Sequence, residues 1–331
     1  MKDYYIEINM LPADEGDCLH IRLLSGDTRY NVVIDSGPSA CAFQFRTLID
    51  QIRNREEDVD LLCFTHIDDD HIKGAEQTFS ERTFDSSHIK QIWMNLPDSI
   101  VKSSVTVQLP DYQNVTVESA CRLFSYITAR KIPCATKVVS GDQITLGSTQ
   151  ITAILPQPGR LQAYYRAWEK EEERLRRRKQ YFPIGGVRRD TSPYNGSSIS
   201  LMVTTEHGKL LFAGDAFATD LAVAARSHAG EEGFTLVKLP HHGSDRNVSV
   251  DLLDALNCRN FLISTQSTAY RPAQNTIDLL AEFGKSHDGV LLFGNYSWPF
   301  IRKPAQGLEI IKLLTSTNPI RIAGITLYSE G

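Results

Sequence analysis

The sequence has few of the features that mark secreted, membrane and redox proteins. Its six cysteines stand singly with no C-x-x-C pair, which argues against a thiolate zinc knuckle or a thioredoxin-like redox site. No run approaches the roughly 18 uncharged apolar residues that a membrane span needs, and the N-terminus lacks the apolar run of a signal peptide. We therefore expect a cytoplasmic protein with no membrane partner, since unpaired cysteines suit a reducing compartment.

The chain also lacks an excess of positive charge. Lysine and arginine number 35 against 40 aspartates and glutamates, which gives a formal net charge of -5. Bulk charge therefore does not attract nucleic acid, and binding of a polyanion requires a local basic patch. With 41% apolar and 23% charged residues in 331 positions, the composition is that of a folded globular protein with a sizeable core.

Strand-like segments come first and then alternate with helical ones, and this order occurs twice along the chain. In the first half, strands at 4–10, 18–24 and 30–34 precede the alternation. In the second half, a hairpin pattern at 198–212 precedes it. This order predicts an α/β fold in which two mixed sheets pack face to face with helices outside.

One segment departs from this alternation. Residues 162–180, QAYYRAWEKEEERLRRRKQ, should form a helix with an aromatic start and a basic end. A solvated surface helix is one interpretation. The other is a lid or phosphate-binding ridge over about 164–189, where Tyr164, Tyr165 and Trp168 stack on the bases of single-stranded nucleic acid. We expect one domain over 1–331, with a helical basic insertion at about 158–192 and a C-terminal strand extension at about 288–331.

Side chains of metal-ligand type crowd the end of the apolar strand at 61–64. His66, Asp68, Asp70 and His71 lie within six positions, and leaving them unpaired in a core would be costly. Imidazole and carboxylate suit Zn²⁺ and, with more oxygen ligands, Mn²⁺. Asp68 and Asp70 share one side if this backbone is extended. An acidic surface turn is the alternative, but the second half supplies partners for a metal site.

Those partners also follow apolar strands. Asp215 ends the segment LLFAGD, where a carboxylate can bridge two ions. His241 and His242 follow VKLP, and two histidines before Gly-Ser suggest a ligand and a proton donor. Asp35 closes a third strand and is either a turn residue or an outer carboxylate that orients a metal-bound histidine. We favour the outer carboxylate.

Together these residues resemble the metallo-β-lactamase superfamily, whose central motif is H-x-H-x-D-H after a strand. Here the motif is THIDDDH at 65–71, with Asp68 in place of the second histidine. This H-x-D-x-D-H variant is similar to the hydrolase domain of the DNA-uptake channel ComEC and its soluble relatives. Their K-x-x-H-H-G-S motif matches residues 238–244, and their Gly-Asp pairs match 16–17 and 214–215. The aspartate that usually opens their D-V-G-Q-G-D string is Pro12 here.

The resemblance spans roughly residues 4–285 and implies the metallo-β-lactamase fold, a four-layer αββα sandwich. It also implies one or two bound ions, Zn²⁺ or Mn²⁺. His66, Asp68 and Asp215 would hold one ion, and Asp70, His71 and Asp215 the other. Asp70 would alternatively orient the attacking water.

The tandem histidines have two expected roles. One of them would ligate an ion, and the other would contact the substrate or protonate the leaving group. We take His241 as the ligand and His242 as the catalytic residue, although the residues alone do not decide between them.

Two positions depart from the family pattern. Asn195 stands where many relatives carry a third histidine, and an amide is a poorer ligand, so we expect it outside the ligand set. Arg271 stands before Pro272 where relatives carry His-Pro, and a guanidinium cannot ligate a metal. The second ion would then bind weakly or need substrate, or Arg271 would act in catalysis by binding a substrate phosphate. Loss of activity is a third alternative.

The resemblance implies a metal-dependent hydrolase that acts through a metal-bound hydroxide. A phosphodiesterase or nuclease is our first expectation, in a bacterial anti-phage defence system beside a protein partner such as an ATPase. A small-molecule ester or lactone hydrolase of the same fold is the second. A weakly catalytic regulatory subunit that acts through a protein partner is the third.

Overall fold

Strands form the centre of the molecule and helices cover them. The computed structural model describes residues 4–103, 115–176, 190–266, 271–302 and 306–330. Its strands are, in chain order, β1 (Tyr4–Met10), β2 (Leu19–Ser25), β3 (Thr28–Ile34), β4 (Val59–Phe64), β5 (Ile92–Met94), β6 (Cys134–Ala135), β7 (Gln143–Leu146), β8 (Thr149–Leu155), β9 (Ser200–Thr205), β10 (Gly208–Phe212), β11 (Leu236–Lys238), β12 (Asn260–Ile263), β13 (Val290–Gly294), β14 (Leu308–Lys312), β15 (Ile320–Ile322) and β16 (Ile325–Tyr328).

The strands form two eight-stranded mixed sheets. The first has the order β15-β16-β1-β2-β3-β4-β5-β6, and the second has the order β14-β13-β12-β11-β10-β9-β8-β7. In the first sheet β1 to β3 are antiparallel and β3 to β6 are parallel. In the second, β7 to β10 are antiparallel and β10 to β14 are parallel. The carboxyl ends of the parallel strands of each sheet therefore meet at one edge, where ligands bind in open α/β sheets.

Helices occupy both outer layers. They are α1 (Ala42–Asn54), α2 (Asp69–Ser80), α3 (Asp98–Ser103), α4 (Val115–Ala129), α5 (Pro158–Arg176), α6 (Pro193–Gly196), α7 (Ala218–His228), α8 (Val250–Leu256) and α9 (Gln274–Lys285). Apolar residues of α1, α2, α4 and α5 pack on the first sheet, and those of α7, α8 and α9 pack on the second. A third apolar cluster fills the space between the sheets. This arrangement confirms the predicted fold of two mixed sheets flanked by helices.

Strand β4 shows why the metal motif starts where it does. Every residue of β4 is buried: Leu62 and Phe64 face the helical layer, and Leu61 and Cys63 face the second sheet. A strand buried on both faces is a continuous apolar run. Asp60, near its start, is the exception and accepts from the Asn31 amide and from Lys90. The side chains of metal-ligand type begin only after the end of β4, at residues 65–71.

Helix α5 belongs to the core of the molecule, which corrects part of the expectation for residues 164–189. Tyr164 and Trp168 are fully buried in the helical layer of the first sheet, and the Tyr164 hydroxyl donates to the Asn95 carbonyl at 3.1 Å. These two rings are therefore not available to stack on bases. The basic residues expected to contact nucleic acid at 177–189 lie outside the described residues.

The C-terminal segment contributes to both sheets. Within 288–331, β13 and β14 extend the second sheet, while β15 and β16 extend the first. Strand β16 pairs with β1 in parallel, with Ile6 opposite Ile325. Among the described helices, none combines the length and apolar character needed to cross a bilayer.

Candidate metal centre

The predicted metal-binding side chains converge at the shared edge of the sheets. Asp35 follows β3, His66 follows β4 and Asp215 follows β10, while the tandem histidines follow β11. The Ile199 amide donates to the Thr65 carbonyl at 2.8 Å and joins the two sheets at this edge. Long connections thus bring residues of both halves of the chain together.

The segment after β4 is helical rather than extended, which corrects the expected relation of Asp68 and Asp70. Asp68 is the N-terminal cap residue of α2, and Asp69 and Asp70 lie in its first turn. The turn directs the two carboxylates apart. Asp68 faces His66, with 3.7 Å between Oδ2 and Nε2, and Asp70 faces His71, with 3.8 Å between Oδ2 and Nε2.

One side of Asp215 holds the donor atoms of His66, Asp68 and His241, which we call position A. Asp215 Oδ2 lies 3.9 Å from His66 Nε2 and 3.4 Å from His241 Nε2. The Asp68 carboxylate lies on the same side of Asp215, because its Oδ2 is 3.7 Å from His66 Nε2. Position A therefore combines two imidazole nitrogens, one carboxylate of its own and one oxygen of Asp215.

The other side of Asp215 holds the donor atoms of Asp70, His71 and His242, which we call position B. Asp215 Oδ1 lies 3.6 Å from His71 Nε2 and 3.8 Å from His242 Nε2. Asp70 Oδ2 lies 3.7 Å from His242 Nε2. Position B has the same chemical composition as position A, and Asp215 contributes one oxygen to each.

The tandem histidines reach both positions because their backbone is left-handed. His241 has φ 50° and ψ 46°, and His242 has φ 54° and ψ 28°. Non-glycine residues rarely take this conformation, and such strain concentrates at functional sites. The two rings consequently approach Asp215 from opposite sides, so the geometry makes the histidines equivalent donors. It does not separate a ligand from a proton donor in the way the sequence suggested.

Each of the four imidazoles is held at Nδ1, which leaves Nε2 directed at Asp215. The partners are Thr65 Oγ1 for His66 at 3.1 Å, Asp35 Oδ2 for His71 at 2.8 Å, the Ser264 carbonyl for His242 at 2.9 Å, and Asn247 Oδ1 for His241 at 2.9 Å. Metal-ligating histidines are typically oriented through their second nitrogen in this way.

Asp35 occupies the place of the predicted outer carboxylate. It has φ 59°, and it is fully buried. Besides His71, it accepts bonds from the Thr65 amide at 2.7 Å and the Thr65 hydroxyl at 2.8 Å. One carboxylate thus ties the end of β3 to the last residue of the H-x-D-x-D-H motif and to the threonine that precedes the motif.

Asp17 is a component of the centre that was matched to a Gly-Asp pair of the family but was not predicted to have a role. One of its oxygens forms a buried ion pair with Lys238, and the other lies 3.5 Å from His242 Nδ1. Donor atoms of Asp17, His71, Asp215 and His242 all lie within 4.8 Å of one another. The signal was available in Lys238, because a lysine inside an apolar strand requires a buried carboxylate partner.

Gly16 allows Asp17 to come this close. A Cβ at position 16 would lie 1.8 Å from the Asp70 carbonyl oxygen. Only glycine therefore permits the loop after β1 to pack against the first turn of α2.

In this centre, neighbouring charged groups shift the pKa values of the side chains more than burial does. Burial alone would raise the pKa of Asp215, but the surrounding histidines hold it well below its usual range. Burial would lower the pKa of His71, but Asp215 and Asp35 raise it well above its usual value. The pKa of His242 likewise rises to about 9, because Asp17 and Asp215 outweigh its burial. The carboxylates thus create a field that favours positive charge at this edge.

The donor set fits divalent cations. Buried atoms without a hydrogen-bond partner include His66 Nε2, His71 Nε2, His242 Nε2, Asp17 Oδ1 and Asp215 Oδ1. Such atoms are rare in proteins unless an ion or water satisfies them. Donors about 2.1 Å from a common tetrahedral ion lie about 3.4 Å apart, close to the 3.4–3.9 Å separations within positions A and B.

Of the two departures from the family pattern, one is linked to position A and the other precedes a residue that contacts the histidine loop. Asn195 donates through Nδ2 to Asp190 Oδ2 at 2.8 Å, and Asp190 in turn lies 3.2 Å from His241 Nδ1. Arg271 is two residues before Ala273, whose amide donates to the Gly243 carbonyl at 3.1 Å. Asn195 is therefore adjacent to position A, and Arg271 precedes a residue anchored to the loop of the tandem histidines.

Several solved structures are similar to this chain at low sequence identity. Related crystal structures include a diphosphatase of the PhnP family, with 10% identity and a TM-score of 0.41 over 89% of this chain and 81% of that one. The Bacillus subtilis metallo-β-lactamase fold protein YhfI has 11% identity and a TM-score of 0.40 over 78% of this chain and 85% of its own. CmlA, a diiron β-hydroxylase from Streptomyces venezuelae, has 13% identity and a TM-score of 0.43 over 88% and 53%.

These TM-scores lie below 0.5, so the solved structures carry no argument about function. No curated protein matches the chain at a significant level. The profile of the metallo-β-lactamase superfamily, by contrast, matches residues 15–265, which contain every residue of positions A and B. The chain belongs to the metallo-β-lactamase superfamily.

Proposed function

We propose that the chain is a two-metal hydrolase that cleaves phosphodiesters. The observation that carries the proposal is the pair of equivalent donor sets on the two oxygens of Asp215. When bound, two divalent ions would activate water and neutralise the charge that develops on a phosphoryl group. His66, Asp68 and His241 would hold one ion, Asp70, His71 and His242 the other, and Asp215 both.

The charge balance of the centre supports two ions rather than one. Six carboxylates lie in or beside the two positions, namely Asp17, Asp35, Asp68, Asp70, Asp190 and Asp215. Lys238 is the ammonium group that pairs with one of them. With the four histidines neutral, as metal ligation requires, this leaves a surplus of five negative charges. Those of Asp68 and Asp70 are one-third exposed to solvent, and the buried remainder requires compensation. Two divalent cations supply four positive charges.

Arg271 favours a phosphate substrate. Its side chain has no hydrogen bond or ion pair with the part of the chain that the structure describes, and two residues later Ala273 is bonded to Gly243 of the histidine loop. A guanidinium binds phosphate oxygens through paired hydrogen bonds. We assign Arg271 the contact to a non-bridging phosphate oxygen and the aspartates and histidines the positioning of the ions. We further propose that the natural substrate is DNA, and that the protein acts in anti-phage defence beside an ATPase. We also propose that it belongs to the ComEC-like branch of the superfamily.

The test is hydrolysis by the purified protein loaded with Mn²⁺ or Zn²⁺. We expect cleavage of bis-p-nitrophenyl phosphate and of DNA, and loss of both activities in Asp215→Ala. Asp220→Ala is the matched control, because Asp220 pairs with Arg160 and belongs to neither position. Cleavage of a chromogenic lactone without diester cleavage would move the ester or lactone alternative ahead. A metal-free, inactive wild-type protein would support a regulatory subunit.

A further inference from the structure

Three of the four imidazoles of the centre are held by residues at the ends of strands. His241 is the exception. Thr65, Asp35 and Ser264, which hold the other three, directly follow strands β4, β3 and β12. His241 is instead held by residues of two loops, Asn247 and Asp190. Its side chain is 13% exposed, whereas those of the other three are fully covered.

Asp190 is bonded on both of its carboxylate oxygens. Oδ2 accepts from Asn195 Nδ2 at 2.8 Å and from Asn247 Nδ2 at 3.0 Å, and it lies 3.2 Å from His241 Nδ1. Oδ1 accepts from the Ser192 amide at 2.9 Å. A carboxylate fixed by three donors is a rigid negative charge beside the imidazole N–H, whose hydrogen-bond acceptor is Asn247 Oδ1.

Asn247 connects this group to the shared ligand. Its Nδ2 also lies 3.3 Å from the Asp215 carbonyl and 3.2 Å from the Ala216 carbonyl, while its Oδ1 faces His241 Nδ1 at 2.9 Å. The Asn247 side chain therefore links the backbone at Asp215 to the His241 ring and fixes the spacing between them. Asp190, Asn195 and Asn247, which we call the clasp, surround His241 on the side away from Asp215.

We propose that Asp190 is the positioning residue of position A. Through the clasp it fixes the imidazole of His241 so that Nε2 faces Asp215. This inference rests on the proposed two-metal function, because it requires His241 to be a ligand. It also explains how position A has two imidazoles although residue 195 is an amide: Asn195 holds Asp190, and His241 supplies the nitrogen.

A side chain that acts only through His241 must affect one ion and not the other. Loss of an outer partner of a ligating histidine lowers metal affinity by roughly 10–100-fold. Position B shares Asp215 with position A, but its histidines are held by Asp35 and by the Ser264 carbonyl. The expected result of removing Asp190 is therefore one weakened ion and one unchanged ion.

The experiment is a titration of metal-free protein with Mn²⁺ and with Zn²⁺, in competition with a chromogenic chelator, supported by metal analysis after dialysis. Wild type should bind two ions. Asp190→Ala should bind one of them roughly 10–100-fold more weakly and the other as before. Asp190→Asn, which keeps the size and one carbonyl oxygen, should lose less, and it remains informative if Asp190→Ala does not fold.

Two further variants separate positioning from a general structural effect. In the His241→Ala background, adding Asp190→Ala should cause no further loss of affinity, since the two residues act as one unit. Asp220→Ala is the matched control, because it removes an aspartate that pairs with Arg160 and belongs neither to the clasp nor to positions A and B. It should bind both ions like wild type.

The outcomes distinguish this inference from the proposed function. Unchanged binding in Asp190→Ala, equal weakening of both ions, an equal loss in Asp220→Ala, or an additive loss in the His241→Ala background would each overturn the positioning role. A wild type that binds two ions but cleaves no phosphodiester would overturn the proposed function and leave the role of Asp190 standing.

Discussion

Positions A and B have the same donors but different supports. Each combines two imidazole nitrogens, one aspartate and one oxygen of Asp215. In position B the histidines are completely buried and are held by the fully buried Asp35 and by a backbone carbonyl. The aspartates Asp68 and Asp70 are both one-third exposed, so the difference lies in the histidines: in position A, His241 depends on the clasp.

This difference teaches that identical ligand chemistry does not imply identical rigidity. Position B is fixed by the ends of strands, so it forms whenever the sheets form. Position A also needs loop residues that are remote in sequence. We therefore expect the ion at position B to bind first and that at position A to be exchanged more easily.

Asp215→Ala should give the largest effect because it removes the residue common to both positions. We expect neither ion to bind stoichiometrically and hydrolysis to fall on the order of 10³-fold, since metal-assisted charge stabilisation contributes several kcal/mol. Metal analysis and initial rates measure this against the Asp220→Ala control. If the variant kept one ion at full affinity, Asp215 would not be shared.

Asp35→Asn should act on position B and on folding together. The amide places an N–H₂ group where Asp35 now accepts from Thr65 and His71, so a buried donor loses its partner at about 2 kcal/mol. Urea denaturation of the metal-free protein measures this loss. Competition titration should show roughly 10–100-fold weaker binding of one ion. Asp35 also holds the Thr65 hydroxyl that contacts His66, so a smaller loss at position A is expected. A loss that is larger at position A, identified by comparison with Asp68→Ala, would contradict the stronger dependence of position B on Asp35.

Asp68→Ala should act on position A without affecting folding. Because this side chain is one-third exposed, we expect the free energy of unfolding of the metal-free protein to change by no more than about 0.5 kcal/mol. One ion should be retained at wild-type affinity and the other lost on dialysis. A variant that lost both ions would show that position B cannot be filled alone.

Arg271→Ala should give the smallest effect and should spare both ions. Loss of a charge-assisted phosphate contact is expected to raise KM for a phosphodiester roughly tenfold, with unchanged metal content. Arg271→Lys keeps the charge but not the paired hydrogen bonds, so it should recover only part of the loss. Equal KM values in wild type and Arg271→Ala would remove the proposed phosphate contact.

The sequence was most informative where local pattern and burial coincide. Apolar segments predicted β4 and β10, and the polar residues at their ends lie at one edge because parallel strands share a direction. The start of α2 was missed, although Asp69 and Asp70 are typical of a helical first turn. The dense cluster of metal-ligand residues led us to consider an extended backbone at residues 68–70 instead of the start of a helix.

What the sequence could not supply were contacts between distant segments. The Lys238–Asp17 pair joins residues 221 positions apart, and no local pattern connects them. The burial of Trp168 was missed for a related reason. Its segment is charged along most of its length, and the partner that covers the ring lies elsewhere in the chain. Asp190 and Asn247 give no signal until His241 is placed between them.

The left-handed dipeptide at 241–242 has a consequence for how this protein can change. Each non-glycine residue in that conformation costs roughly 1–2 kcal/mol, and glycine would relieve the strain. Selection for thermal resistance alone would therefore replace both histidines and abolish the centre, the usual opposition between stability and activity. Because the two residues serve different positions, a deletion or insertion of one residue here would disturb both ions at once. Both positions of the proposed two-metal centre thus depend on the backbone of this dipeptide.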